Sequence, residues 1–156
     1  MVTIWLIYCK SLNKILQVEN ILALIVENCM SQSMMILAVD DEPLNLMILR
    51  ELFEDTHEIT LVESGEDAME QLEKAVPNVI LLDVMMPGID GIEVCKRVRA
   101  NNEMKNVKII MVSGKAMQDD IQVGMDAGAN HYISKPFDMM ELVDLVESYS
   151  WRLNFI

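Results

Sequence analysis

Residues 79–83 read Val79-Ile80-Leu81-Leu82-Asp83, four apolar residues closed by a carboxylate. The form recurs along the chain. Met35-Ile36-Leu37-Ala38-Val39 is closed by Asp40-Asp41, Val107-Lys108-Ile109-Ile110-Met111-Val112 by Ser113, and His131-Tyr132-Ile133-Ser134 by Lys135 before Pro136. Short apolar runs alternating with helical patterns mark buried parallel strands. Open parallel sheets bind ligands beyond the carboxyl ends of their strands. The pattern therefore predicts one sheet edge where three carboxylates, a hydroxyl and an ammonium converge. Such a set suits a hard divalent cation and a phosphoryl group.

The segments between these runs complete a β-α unit repeated five times from Met35. Pro43 sits where it can open a helix, and Leu46, Ile48, Leu49, Leu52 and Phe53 give that helix an apolar face. Glu58–Val62 reads as the second strand. Ser64 with Asp67 resembles a capping box for a helix through Ala75, which Pro77 separates from the third strand. Asp90 with Glu93 starts a helix carrying Ile92, Val94, Cys95 and Val98. Residues 101–106 read as a polar loop. A further helix is expected from about Ala116 to Ala127, ended by Gly128 as its C-cap. Asp138 with Glu141 starts the last helix. The expected fold is α/β: a doubly wound, five-stranded parallel sheet with helices on both faces, of the flavodoxin-like class.

The chain has 156 residues and a formal net charge of −13. Residues 1–33 hold Lys10, Lys14, Glu19 and Glu27 and net to zero, so the whole excess lies in residues 34–156. That balance repels nucleic acid and offers no basic patch for it, but attracts cations or a basic partner face. Cys9, Cys29 and Cys95 are odd in number and far apart, without a CxxC pair. Neither a disulfide framework nor a zinc site is expected, and the expected compartment is cytoplasmic. Cys95 reads as a small buried hydrophobe.

Residues 1–33 do not fit the alternation and form an N-terminal extension to a domain expected over 34–151, with 152–156 as a tail. Ile15, Val18, Leu22, Ile25 and Cys29 follow a 3-4-3-4 spacing, as in a helical seam that packs on the domain or on a second copy in a homodimer. Other apolar residues blur the pattern. A membrane-surface helix would want a Lys/Arg-rich polar face, which the segment lacks. A third reading places the natural start at Met34 or Met35. No membrane span is expected, because Gln17, Glu19, Asn20, Glu27 and Asn28 interrupt the apolar stretch well short of about 18 clean residues.

Asp40, Asp41 and Asp83 together would hold Mg²⁺, which prefers oxygen ligands and is usually bound by one or two carboxylates with waters and phosphate oxygens. Crowded carboxylates repel one another, and a divalent cation relieves the repulsion. Each alone has a plainer reading: Asp41-Glu42-Pro43 as a helix cap, Asp83 as the start of a loop. Asp83 is the candidate nucleophile, since carboxylates attack phosphorus to form aspartyl phosphates. Lys135 would supply positive charge to the phosphoryl oxygens and Ser113 a neutral donor. Their plainer readings are a solvated lysine and a turn residue before Gly114.

With these residues in place, the chain resembles the receiver domain of two-component response regulators, in its single-domain, chemotaxis-regulator-like form. Asp40-Asp41 is similar to the family's acidic pair, and Asp83-Val84-Met85-Met86-Pro87-Gly88-Ile89-Asp90-Gly91 to its D-x-x-M-P-x-x-D-G run. Ser113 matches the switch Ser/Thr, Tyr132 the switch aromatic, and Lys135-Pro136-Phe137 the K-P-F run. The resemblance implies that Asp83 accepts phosphate from a histidine kinase or histidine phosphotransfer protein. It implies that Asp41, Asp83 and the Met85 backbone carbonyl ligate Mg²⁺, with Asp40 acting mainly through water, and that the Lys135–Pro136 peptide is cis. It further implies that Ser113 and Tyr132 move on phosphorylation, reshaping a face of the fourth helix, fifth strand and fifth helix toward a protein target. Met85 and Lys115 flank the acyl phosphate and would tune attack by water.

On this reading the protein is not an enzyme toward a separate substrate, and catalyses only its own phosphorylation and dephosphorylation. A short tail after the last helix implies output through protein contact or onward phosphotransfer. The alternatives are an Mg²⁺-dependent aspartyl-phosphate phosphohydrolase, an interaction module that is never phosphorylated, and a receiver fragment of a hybrid histidine kinase. The first wants a second carboxylate two residues beyond the nucleophile, where this chain has Met85.

Overall fold

A computed structural model of the protein describes residues 33–115 and 117–150. The expectations for residues 1–32, for Ala116 and for the tail lie outside the described residues. Five strands and five α-helices alternate: β1 (Met35–Val39), α1 (Pro43–Phe53), β2 (Glu58–Val62), α2 (Gly65–Lys74), β3 (Val79–Asp83), α3 (Gly91–Ala100), β4 (Lys108–Ser113), α4 (Gln118–Asp126), β5 (His131–Ser134) and α5 (Met139–Ser150). All strand pairs are parallel, in the order β2-β1-β3-β4-β5. This is the flavodoxin-like arrangement expected from the sequence. Its winding reverses between β1 and β3, which places the ligand crevice beyond Val39 and Asp83.

The strands bury both faces. Leu37, Val39, Ile80, Leu82, Ile109 and Met111 pack with Ala68, Leu72, Val94, Cys95, Val98 and Ala127, so α2, α3 and the end of α4 cover one side. Their neighbours Ile36, Ala38, Val79, Leu81, Ile110 and Val112 pack with Leu46, Leu49, Phe53, Leu142 and Val146, so α1 and α5 cover the other. Successive strand side chains point to opposite faces, which is why one apolar run feeds two separate cores. Cys95 is fully buried, and its Sγ lies 3.4 Å from the Ala127 carbonyl oxygen. Burial pushes its thiol pKa up, against the opposing Arg99 charge.

Local chemistry sets the helix starts. Ser64 Oγ accepts the Asp67 N–H at 3.1 Å, Asp90 Oδ1 the Glu93 N–H at 2.8 Å, and Asp138 Oδ1 the Met140 N–H at 2.7 Å. Pro43 opens α1. Two boundaries are tighter than the sequence suggests. α2 stops at Lys74 because Ala75 is already extended, two residues before Pro77. α4 spans Gln118–Asp126, with Gly128 at φ 106° beyond it. The polar stretch 101–106 is also not purely a loop. Asn102–Met104 forms a 3₁₀ turn capped by Asn101, which tucks Met104 into the core beside α3. Among the described residues no helix is long and apolar enough to cross a membrane.

Candidate phosphoacceptor and cation site

The carboxyl edge gathers residues from three strand ends. Lys135, after β5, donates from Nζ to Asp40 Oδ2 at 2.6 Å and to Asp83 Oδ2 at 3.0 Å. Asp40 and Asp83 are nearly buried, with side chains 4% and 8% exposed, and Lys135 is 20% exposed. Burial pulls the Lys135 pKa down, but the hydrogen bonds and charges of Asp40 and Asp83 outweigh it and hold the ammonium above the ordinary lysine range. The Lys135–Pro136 peptide is cis.

Asp40 is heavily engaged. Its Oδ1 accepts the Glu42 N–H at 2.9 Å and Asn45 Nδ2 at 3.0 Å, while Oδ2 takes Lys135 and a second contact from Asn45 at 3.1 Å. Asn45 Nδ2 also reaches Glu42 Oε2 at 3.2 Å, so its two hydrogens are shared among three acceptors. Asp83 is less engaged: Oδ1 accepts the Met85 N–H at 3.1 Å and Oδ2 takes Lys135. Asp41 is exposed.

One carboxylate oxygen each from Asp40, Asp41 and Asp83 lies within 4.8 Å of the others. Three formal negative charges against the one ammonium leave two, which a divalent cation matches. Hard oxygen donors, clustered and under-neutralised, fit Mg²⁺ or Mn²⁺ rather than a soft metal. Asp83 and the exposed Asp41 carry fewer hydrogen bonds than Asp40 and so have more free lone pairs.

Ser113 and Tyr132 both meet Lys115. The fully buried Ser113 accepts the Lys115 N–H on Oγ at 3.1 Å, and the Tyr132 hydroxyl donates to the Lys115 carbonyl oxygen at 2.8 Å. Tyr132 is half-buried beside Gly124 of α4, where an added Cβ would lie 2.8 Å from the ring. In register, Asp83 is paired with Val112, and Ser113 follows on β4, held by its carbonyl to the Lys135 N–H at 2.7 Å. Beside this edge an open cavity of about 420 Å³ is rimmed by Met85, Lys115 and Asp120, with Lys115 Nζ 4.0 Å from Asp120 Oδ1.

The structure thus brings Asp40, Asp83 and Lys135 into direct contact, with Asp41 beside them, and joins Ser113 to Tyr132 through the backbone of one residue, Lys115. Sequence reading missed Asn45. Its signal was a lone polar residue in the first turn of an apolar helix, Pro43-Leu44-Asn45-Leu46, close after the acidic pair.

Residues 36–147 match the response regulator receiver domain family. Solved structures of similar shape include a putative response regulator from Chloroflexus aurantiacus J-10-fl, at a TM-score of 0.71 and 34% identity, covering 76% of this chain and 98% of that one. The chemotaxis protein CheY4 of Vibrio cholerae aligns at a TM-score of 0.70 and 28% identity, covering 75% and 98%. The Mn(2+)-bound form of the response regulator Rcp1 aligns at 0.65 and 25%, covering 79% and 96%. Sheet order, strand-end chemistry and family match agree, and this chain belongs to the response regulator receiver domain family.

Proposed function

We propose that Asp83 is the phosphoacceptor of a two-component phosphorelay and takes its phosphoryl group from a phosphohistidine on a histidine kinase or histidine phosphotransfer protein. The observation that carries this is the shared Lys135: one ammonium bridging the nucleophile and the acidic pair, with Asp41 alongside. A carboxylate oxygen of Asp83 bonds to phosphorus as the bond from phosphorus to the histidine nitrogen breaks, and the electron pair leaves with the imidazole. Lys135 offers positive charge to the transferring oxygens. The Met85 N–H fixes the Asp83 carboxylate by holding Oδ1. Mg²⁺, held by Asp41, Asp83 and the Met85 backbone carbonyl with Asp40 acting through water, would neutralise charge on the phosphoryl oxygens. That Rcp1, a response regulator of similar shape, is known in an Mn(2+)-bound form supports divalent-cation binding here.

Output on this reading is a protein contact made by α4, β5 and α5, in the cytoplasm. Its transmission runs through Lys115: Ser113, re-aimed at the phosphoryl group, releases the Lys115 N–H, and the carbonyl of the same residue holds Tyr132. Met117, Met139 and Met140 on that face are 76%, 54% and 66% exposed, an adaptable surface for a partner. The test is labelling with an acyl phosphate and Mg²⁺, followed by mapping of the modified residue. Wild-type protein is expected to carry the label on Asp83 and Asp83→Asn to carry none; equal labelling of the variant overturns the assignment.

A further inference from the structure

The loop between β3 and α3 carries Met85, whose carbonyl the proposed cation site uses. Its own hydrogen bonds lie at its two ends: the Met85 N–H to Asp83 Oδ1 at 3.1 Å, and the Gly91 N–H to the Val84 carbonyl at 3.2 Å. Its middle is tied from another element. Glu66, on the first turn of α2 and 23 residues away in sequence, accepts the Ile89 N–H on Oε1 at 3.1 Å.

Three features build this contact. Ser64 fixes the first turn of α2, accepting the Asp67 N–H at 3.1 Å and donating to Asp67 Oδ2 at 2.7 Å. Gly65 is buried against the loop, and a Cβ there would drive into the Ile89 carbonyl oxygen. Gly88 stands at φ +75°, open to glycine, and a Cβ on it would lie 2.5 Å from Glu66 Oε1. The helix start and the loop therefore interlock around one carboxylate. An acidic residue in a first helical turn ordinarily serves the helix dipole. This one also makes a charge-assisted bond to a backbone group on a different element.

We propose that Glu66 is a positioning residue for the cation site, holding the loop of residues 84–90 in the shape that presents the Met85 carbonyl beside Asp83. The inference rests on the cation reading of the Asp83 centre. Glu66 itself touches neither the ion nor the phosphoryl group; it acts through Ile89 and the loop backbone.

The experiment is titration of the full chain with Mg²⁺ alone, comparing wild type, Asp41→Ala, Glu66→Ala and Glu66→Gln, with amide exchange at Ile89 as a second readout. Glu66→Ala should bind Mg²⁺ about tenfold more weakly, the low end of what outer partners of metal sites contribute, and Glu66→Gln should stay within about twofold of wild type because its amide oxygen still accepts the Ile89 N–H. Ile89 should exchange faster in Glu66→Ala alone. Equal weakening in both Glu66 variants assigns the effect to lost charge and overturns the proposal. Unchanged affinity in Glu66→Ala, with only a lower melting temperature, reduces Glu66 to a helix-start residue and also overturns it. Wild-type protein that fails to bind Mg²⁺, or binding that Asp41→Ala leaves intact, overturns the cation reading and this inference together.

Discussion

The two edges of this sheet are built from the same kinds of residue and end in opposite states. At the amino edge, polar side chains close on backbone. Asn78 gives its N–H to the Met35 carbonyl and accepts the Met35 N–H on Oδ1, both at 2.8 Å. Asn130 treats Ile109 the same way, at 2.8 and 2.9 Å. Arg99 then gathers the Gly128 carbonyl, the Val107 carbonyl and Asn130 Oδ1 at 2.7, 2.9 and 2.8 Å. At the carboxyl edge, the principal partners are charged side chains: Lys135 is divided between Asp40 and Asp83, and Asp41 stands exposed beside them. Arg99 is held by neutral oxygens of the backbone and of Asn130. Lys135 is held by carboxylates that a cation or a phosphoryl group can compete for. A polar residue at a strand end becomes responsive when its partner is another charge, and becomes scaffolding when its partner is the backbone.

That contrast can be broken at either edge. The largest effect should come from Lys135→Ala, which removes positive charge from the transfer site: labelling by an acyl phosphate should slow by about a hundredfold. A rate close to wild type would show that the ammonium serves packing alone. At the other edge, Arg99→Ala removes three hydrogen bonds and should lower stability by about 2–3 kcal/mol in urea melts, with Mg²⁺ affinity unchanged. A drop in affinity there would mean the two edges are coupled through the sheet. Mg²⁺ at about a hundred times its Kd should raise wild-type stability by about 2.7 kcal/mol, and Asp41→Ala should erase most of that gain. A gain that survives the variant places the ion elsewhere.

The smallest effect concerns pH. The Lys135 pKa is raised in the fold. Its contribution is therefore fully present below the unfolded lysine value of about 10.4 and is lost as pH climbs through the higher folded value. Wild type should lose stability more steeply than Lys135→Met above about pH 10.4. The buried Cys95 thiol, also raised, contributes an alkaline loss from lower pH. Both proteins carry it, so the difference between the two profiles isolates Lys135. Parallel profiles would sink the argument that the carboxylates outweigh burial at this ammonium.

Strands and helix starts were legible in the sequence because their causes are local. Ser64 needs Asp67 and Asp90 needs Glu93, each within one turn, and Leu81 with Leu82 shows a two-sided strand by adjacency alone. The meeting of Lys135 with Asp40, 95 residues apart, was legible only through a topological rule: every parallel strand delivers its last residue to the same edge. Glu66 and Arg99 were not legible in this way, whereas Asn45, five residues from Asp40, left a local signal that was passed over. Glu66 and Arg99 work through partners fixed by how helices settle on the sheet, and a polar residue on a helix surface looks alike in sequence whether it faces water or a neighbouring loop. Met104 escaped for the converse reason, since its polar neighbours hid one apolar residue that packs inward.

The alternation of the strands has a consequence for how such a protein can change over time. Leu81 packs toward α1 and α5, and Leu82 toward α2 and α3, so each core residue belongs to one layer. Contacts across the sheet pass through backbone. Substitutions at Leu72 and Leu142, on opposite layers, should therefore add in their effects on stability, as distant sites without shared partners do. One layer can then drift in sequence, and with it the surface shown to one set of partners, while the other stays matched to its own.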